Sequence, residues 1–523
     1  MKRIVLSLSL VCSSISLWAQ AAPENWHHLE ATTGGVHGID TEGAYQLLKG
    51  KTAKTVIVAV IDDGVEVNHE DLKGVIWTNE KEIAGNGKDD DNNGYVDDVH
   101  GWNFIGGATE DIDQDNQEMM RLYRAYKTKY AATKPANATE KAEFAQIKSL
   151  KKAIDKKRKQ YQSQWDMLNG IEKVMKGASN GASTVSVGQI KTYLKTFKPA
   201  NAAEKKAKTI LTLSTMKAEE DRTIDIDKRV SGGKKQLSDV LDYHLNEAFD
   251  PRSKVGDDYN NVNEKGYGNN HVISHNGDHG THVSGIIAAD RNNNLGMKGI
   301  ADNVRIMAIR VVPNGDERDK DVANAIRYAA DNGAKVINMS FGKSYSWDKK
   351  AVDAAVRYAS IKDVLIVHAA GNDSHNNDKG GNFPNDKFED DGRDAVNWIE
   401  VGASSWKNGK DVPASFSNYG KTKVDVFAPG VDIYSSTKDN HYEAYSGTSM
   451  ASPVTAGVAA LVRAYYPKLT AVEVKKIILD SAVPFKEEVT IPGTKKKIYF
   501  SELSKTGAIV NAKNAVQMAG KMK

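Results

Sequence analysis

One stretch constrains this chain more than any other: Gly447-Thr448-Ser449-Met450-Ala451-Ser452-Pro453, followed by Val454-Thr455-Ala456-Gly457-Val458-Ala459-Ala460-Leu461-Val462. The second half reads as a helix of small residues, fit to be packed closely on all sides. Proline is tolerated in the first turn of a helix, where its missing N–H costs nothing, so the helix is expected to start at about Ser449. The Ser449 hydroxyl then sits at a helix N-terminus, where free N–H groups and the helix dipole stabilise negative charge. A serine that must carry an oxyanion needs that setting. Most serines at helix starts are simply caps, so a nucleophile also requires a base and an orienting acid elsewhere in the chain.

Both are present. His279 lies in His279-Gly280-Thr281-His282-Val283-Ser284-Gly285, at the start of an expected helix. Asp62 closes the unbroken apolar run of residues 55–61, which reads as a buried strand, and sites gather at the carboxyl ends of such strands. A buried aspartate needs a partner, and Asp63 is the competing carboxylate. The three segments, in the order Asp, His, Ser, resemble those of subtilisin-like serine peptidases, the subtilase family.

That resemblance implies a three-layer α/β fold with a mainly parallel sheet and a serine endopeptidase acting on proteins or peptides. Asp62, His279 and Ser449 would be its triad. Asp62 is chosen over Asp63 because the family places its acid directly after the strand. Asn372, in Ala369-Ala370-Gly371-Asn372, would be the side-chain oxyanion donor beside the Ser449 N–H. Ser340, Phe341 and Gly342, at the end of the strand in residues 335–342, would line the substrate-binding pocket with Gly371. Asp71 and Asn293 would be side-chain ligands of a structural calcium ion, joined by carbonyls near Leu295 and Met297. His69 and His282 would be structural. No organic cofactor is implied.

A second calcium candidate rests on its own chemistry. Residues 89–98 read Asp-Asp-Asp-Asn-Asn-Gly-Tyr-Val-Asp-Asp. Asp89, Asp91, Asn93 and Asp97 supply oxygen at the spacing of an EF-hand-type loop, with a glycine at the sharp turn. His100 stands where the bidentate glutamate would be, so the shell needs another ligand. The stretch also reads as an acidic solvated turn, but crowded aspartates repel unless a cation is present. Asp316, Glu317 and Asp373 fall where the family presents its substrate groove, a weak pointer to basic residues in the substrate. Asn382-Phe383-Pro384 falls near the pocket floor.

Residues 109–256 differ in character. Phe144, Ile147, Leu150, Ile154, Tyr161, Trp165, Leu168, Ile171 and Met175 recur at helical spacing, and shorter helices are expected over residues 187–197, 202–216 and 236–249. Residues 121–160 hold 13 Lys or Arg against 3 Asp or Glu. A basic face of this kind docks anionic partners or is merely solvated. No base-stacking motif accompanies it, so nucleic acid is not expected. The insertion is a candidate for shading the cleft, docking a partner or restraining activity. A peptide- or partner-binding protein on a peptidase fold, with the insertion as docking module, is the alternative function.

The N-terminus reads as an export signal. Lys2 and Arg3 precede an apolar run over residues 4–17, and Ala19-Gln20-Ala21 offers a cleavage site. The run is too short to span a bilayer comfortably, so a periplasmic or extracellular protein is expected, without a transmembrane segment after cleavage. Cys12, the only cysteine, leaves with the signal, so core size or bound metal must stabilise the rest. The family usually carries an inhibitory propeptide ahead of its body, and the span before residue 55 is too short for one. The expected division is residues 1–21 as signal, 22–108 and 257–523 as catalytic body, and 109–256 as helical insertion.

Overall fold

Alternate residues of the first strand feed two different cores. In β1, Val56–Asp62, the side chains of Val56, Val58 and Val60 enter one cluster, and Ala59 and Ile61 enter the other. That period of two is the pleat of a strand buried on both faces. The computed structural model describes residues 22–23, 25–30, 35–275 and 277–522. The expected signal, residues 1–21, lies outside the described residues.

The chain forms two compact units, residues 22–113 with 251–523, and residues 114–250. The larger unit is built on a nine-stranded sheet. Its strands are β1, β2 (Gly101–Asn103), β3 (Val304–Arg310), β4 (Val336–Met339), β5 (Leu365–Ala369), β6 (Trp398–Ser404), β7 (Val426–Pro429), β8 (Val483–Pro484) and β9 (Ala508–Ile509). Their spatial order is β8-β9-β7-β6-β5-β4-β1-β3-β2. Every neighbouring pair is parallel except β8 with β9. Helices α1 (Asp278–Ala288) and α4 (Thr448–Tyr465) pack in the core on one face. Helices α2 (Asp319–Asp331) and α3 (Lys349–Ile361) pack in the core on the other. The result is the three-layer α/β arrangement expected of a mainly parallel sheet.

From β1 the chain moves to β2 and then β3 on one side, then crosses to β4 on the other. The crevice at the carboxyl ends of β1 and β4 is therefore the topological switch point, where open α/β sheets bind ligands. In the lead-in, Trp26 is buried and its Nε1 donates to the Val431 carbonyl at 3.0 Å. Leu29, three residues on, is exposed. Its backbone, pinned by bonds with Trp26 and Asp40, fixes the turn instead.

The smaller unit is helical. Its longest helix, Ala138–Ala178, contributes Ile171, Val174 and Met175 to a core shared with Ile190, Leu194 and Leu211. The expected apolar stripe is buried only in part, since Phe144, at its start, is exposed. The helix expected over residues 236–249 begins ten residues earlier, at Ile226–Asp239, and passes into a wide turn at Val240–His244. Gly232-Gly233 hides that start in the sequence, because glycine disfavours helix interiors. The Asp225 side chain caps the helix by accepting from the Lys228 N–H.

Candidate active site

Strand β1 ends by delivering two adjacent carboxylates to the crevice, and they part company there. Asp62 is 1% exposed, and its Oδ1 meets His279 Nδ1 at 2.7 Å. It also accepts from the Asp63 N–H at 2.8 Å. Asp63 Oδ1 accepts from the Gly280 N–H at 2.8 Å, capping the first turn of α1. Gly280 has no room for a side chain, because a Cβ would run into the Gly64 carbonyl, so the turn after β1 and the start of α1 lie in direct contact. This contact fixes the ring of His279 against Asp62.

Burial alone would lower the His279 pKa. The charge of Asp62 and its hydrogen bond, with the charge of Asp63, overrule that and raise it to about 9. Asp63 is itself pushed up to about 8, first by burial and then by the neighbouring charge of Asp62. His282, one turn further along α1, is held neutral, its pKa lowered to about 3 by burial. Its Nε2 meets the Glu443 carbonyl at 3.0 Å and its ring stacks on Tyr445 at 4.4 Å.

Helix α4 packs beside α1 on the same face of the sheet, so His279 and Ser449 both stand at helix N-termini over the same strand ends. Helix α4 begins at Thr448, which places Pro453 past the first turn expected for it. A proline there frees the carbonyl four residues earlier, which is that of Ser449. Ser340 Oγ donates to it at 2.9 Å, and Asn338 Nδ2 donates to Ser340 Oγ at 3.0 Å. The Ser340 side chain, expected to line the pocket, is therefore buried under α4. Its carbonyl accepts the Ser449 hydroxyl at 3.1 Å, and no Ser449–His279 hydrogen bond occurs in this resting rotamer.

Asn372 follows β5. Its Oδ1 accepts from the Thr448 N–H at 2.9 Å and the Thr448 hydroxyl at 3.0 Å. With the oxygen committed, the amide NH₂ is turned outward. A Cβ at Gly447 would lie 3.5 Å from Asn372 Nδ2 and 3.5 Å from the Ser449 nitrogen. Two N–H donors thus converge on one space beside Ser449, and the missing side chain of Gly447 leaves it open. Burial and convergent donors of this type stabilise a developing negative oxygen.

Residues 53–512 match the sequence profile of peptidase S8, the Subtilase family. The chain belongs to the subtilase family. This subtilase is 48% identical over 185 residues to a thermophilic serine proteinase of Bacillus sp. (strain AK1), covering 35% of this chain and 42% of that one. It is 42% identical over 185 residues to thermitase of Thermoactinomyces vulgaris, covering 35% and 60%. It is 39% identical over 207 residues to subtilisin DY of Bacillus licheniformis, covering 39% and 70%. The match thus spans about half the length of the curated relatives. The long helical segment between Asp62 and His279 is an insertion in the subtilase body.

The subtilase brings Asp71 and Asn293 together. Asp71 Oδ1 accepts from Asn293 Nδ2 at 2.7 Å, and Oδ2 accepts from the Met297 N–H at 3.2 Å. Burial raises the Asp71 pKa. The donor set fits calcium in its oxygen chemistry, with one carboxylate, one side-chain amide and nearby carbonyls, although here the amide nitrogen faces Asp71.

In the acidic loop a carboxylate from outside joins the cluster. Asp89 and Asp91 do converge, but their third partner is Glu82, with oxygens of all three within 4.8 Å. Asp97 is engaged elsewhere: its carboxylate accepts from the N–H groups of Gly85, Asn86 and Gly87. Asn93 donates to Asp98 at 3.1 Å, and its oxygen accepts from the Tyr95 N–H. Glu82 lies outside the loop spacing, and only the fold brings it in. Glu317, expected at the groove, is 2% exposed, and burial pushes its pKa up to about 7.

Proposed function

We propose that this subtilase is an exported serine endopeptidase that hydrolyses peptide bonds in proteins. The observation that carries the reading is the Asp62–His279 pair at 2.7 Å beside a serine at a helix N-terminus with two converging N–H donors. In this reading Ser449 Oγ leaves the Ser340 carbonyl and attacks the substrate carbonyl. His279 Nε2 takes the hydroxyl proton and later gives it to the leaving amine. Asp62 holds Nδ1–H and stabilises the imidazolium, while Asn372 Nδ2 and the Ser449 N–H hold the tetrahedral oxyanion. Water then repeats the sequence on the acyl-enzyme. The end of β4, through Phe341 and Gly342, together with Gly371, would receive the substrate as an added strand.

Calcium is the proposed structural ion, held by Asp71 and Asn293 and by Glu82, Asp89 and Asp91. Three carboxylates packed this closely, with the exposed Lys81 Nζ, 3.7 Å from Asp91, the one cationic side chain paired with them among the described residues, fit a divalent cation. A chelator is expected to lower the melting temperature by several degrees, and calcium should restore it. An unchanged melting curve in chelator would remove calcium from the reading.

The deciding experiment labels the purified chain with a fluorophosphonate and maps the adduct by mass spectrometry. An adduct on Ser449, lost in His279→Ala, is expected. No adduct on folded protein would overturn the peptidase assignment.

A further inference from the structure

The floor of the cleft between Gly342 and Gly371 has a polarity of its own. A Cβ at Gly342 would lie 3.2 Å from Asn382 Oδ1, and one at Gly371 would lie 3.7 Å from the same oxygen. Gly371 also has φ +103°, which a side chain would strain, and a Cβ there would strike Asn418. Both backbone walls are therefore bare, and the Asn382 oxygen lies near both; the Phe383 carbonyl, 3.3 Å from the Gly342 position, is already bonded to the Lys343 N–H. The floor is fastened to the wall, since Lys343 and Phe383 exchange backbone hydrogen bonds at 2.8 and 2.9 Å.

Glu400 determines which end of Asn382 faces the cleft. Asn382 Nδ2 donates to Glu400 Oε1 at 3.0 Å. Glu400 is 4% exposed, and its other oxygen is occupied by Trp398 Nε1 at 2.9 Å and His368 Nδ1 at 2.9 Å. Both Glu400 oxygens act as acceptors here, so the amide turns its NH₂ inward and its oxygen outward. The buried acid thus reaches the substrate through the orientation of a neutral side chain.

We infer that Asn382, held by Glu400, makes this cleft select peptides whose residue on the acyl side of the scissile bond (P1) ends in a hydrogen-bond donor, namely lysine, arginine or glutamine. This rests on the endopeptidase reading above and names its substrate class. A P1 side chain with no donor leaves the Asn382 oxygen desolvated and unpaired, and glutamate sets oxygen against oxygen. Discrimination by a buried polar group of this kind falls on kcat/KM.

The test uses matched fluorogenic peptides that differ only at P1, with lysine against norleucine and glutamine against glutamate. Each donor member is expected to exceed its counterpart in kcat/KM by roughly tenfold to a hundredfold. Glu400→Gln should let Asn382 flip, because the new amide donates to the Asn382 oxygen. The glutamine-to-glutamate ratio should then fall to parity or invert. Asn382→Leu, which removes the outward oxygen but keeps a side chain of similar size over Glu400, should bring the lysine-to-norleucine ratio to unity or below. Fluorophosphonate labelling of Ser449 is run on each protein to separate the two ideas. Labelling with equal rates across P1, or ratios unmoved by either variant, overturns the specificity inference alone. No labelling and no cleavage in the folded wild-type chain overturns the endopeptidase reading and this inference with it.

Discussion

Asn372 works by having one end committed. Thr448 occupies its oxygen from two sides, which fixes the NH₂ toward the space shared with the Ser449 N–H. Asn372→Ala is expected to lower kcat about 10²–10³-fold with little change in KM, the loss known for the side-chain donor of a subtilisin. A loss confined to KM would assign Asn372 to ground-state binding. Asp63 makes a different contribution, through the charge it carries above about pH 8, beside its bond to the Gly280 N–H. His279 must be neutral to act as base, and the carboxylates of Asp62 and Asp63 favour its charged form. The acid limb of kcat/KM should therefore lie well above the ordinary histidine value of about 6.5. Asp63→Asn keeps an acceptor for the Gly280 N–H and removes the charge, so the limb should move to lower pH. A limb that stays in place in the variant would deny Asp63 any influence on the base.

At the scale of elements, α4 is held by a bond outside its own helix. Pro453 leaves the Ser449 carbonyl without a helical partner, and Ser340 Oγ supplies one. Ser340→Ala would leave that carbonyl buried and unsatisfied, at a cost of about 1–3 kcal/mol. Denaturant unfolding in a Ser449→Ala background reads this directly, and a change within a few tenths of a kcal/mol would show that the bond is dispensable. The same helix shows what was legible in the sequence. The small-residue run and the apolar runs before Asp62 and through residues 335–342 carry their period in the letters, so the sheet and the placement of Asp62, His279 and Ser449 were readable. The register of Pro453 was not, because its tolerance depends on a hydroxyl 113 residues away in the chain, Ser340. Glu82 and Glu400 escaped for the same reason, since each gains its role from neighbours that only folding supplies. Gly232-Gly233 misled in the opposite direction, a local propensity overridden by a cap and by packing.

For the whole molecule, buried imidazoles and buried carboxyls pull the response to acid in opposite directions. His28 and His282 are buried, and burial lowers each pKa to about 3, with the charge of Arg291 adding to the effect on His28. His27 is lowered as well, by burial and by the charge of His28. In the unfolded chain each titrates near 6.5. Between about pH 6.5 and 3 these three rings therefore bind more protons in the unfolded state, and their contribution to stability falls as pH falls. His279 has the opposite sign: its raised pKa adds stability below about 6.5 that is lost as pH rises through about 9. Asp63 and Glu317, pushed up to about 8 and about 7, oppose the imidazoles: folding raises their pKa, so their contribution to stability grows as pH falls toward about 4. Each group contributes a slope of up to about 1.4 kcal/mol per pH unit. The share of one imidazole is read by difference in the Ser449→Ala protein, which cannot digest itself, followed from pH 6.5 to pH 4. His282→Gln in that background removes one titrating ring, so its curve should fall less steeply by about that slope, whatever the substitution costs at neutral pH. Parallel curves for the two proteins would place the acid sensitivity elsewhere, in the carboxylates that cap and pair across the sheet.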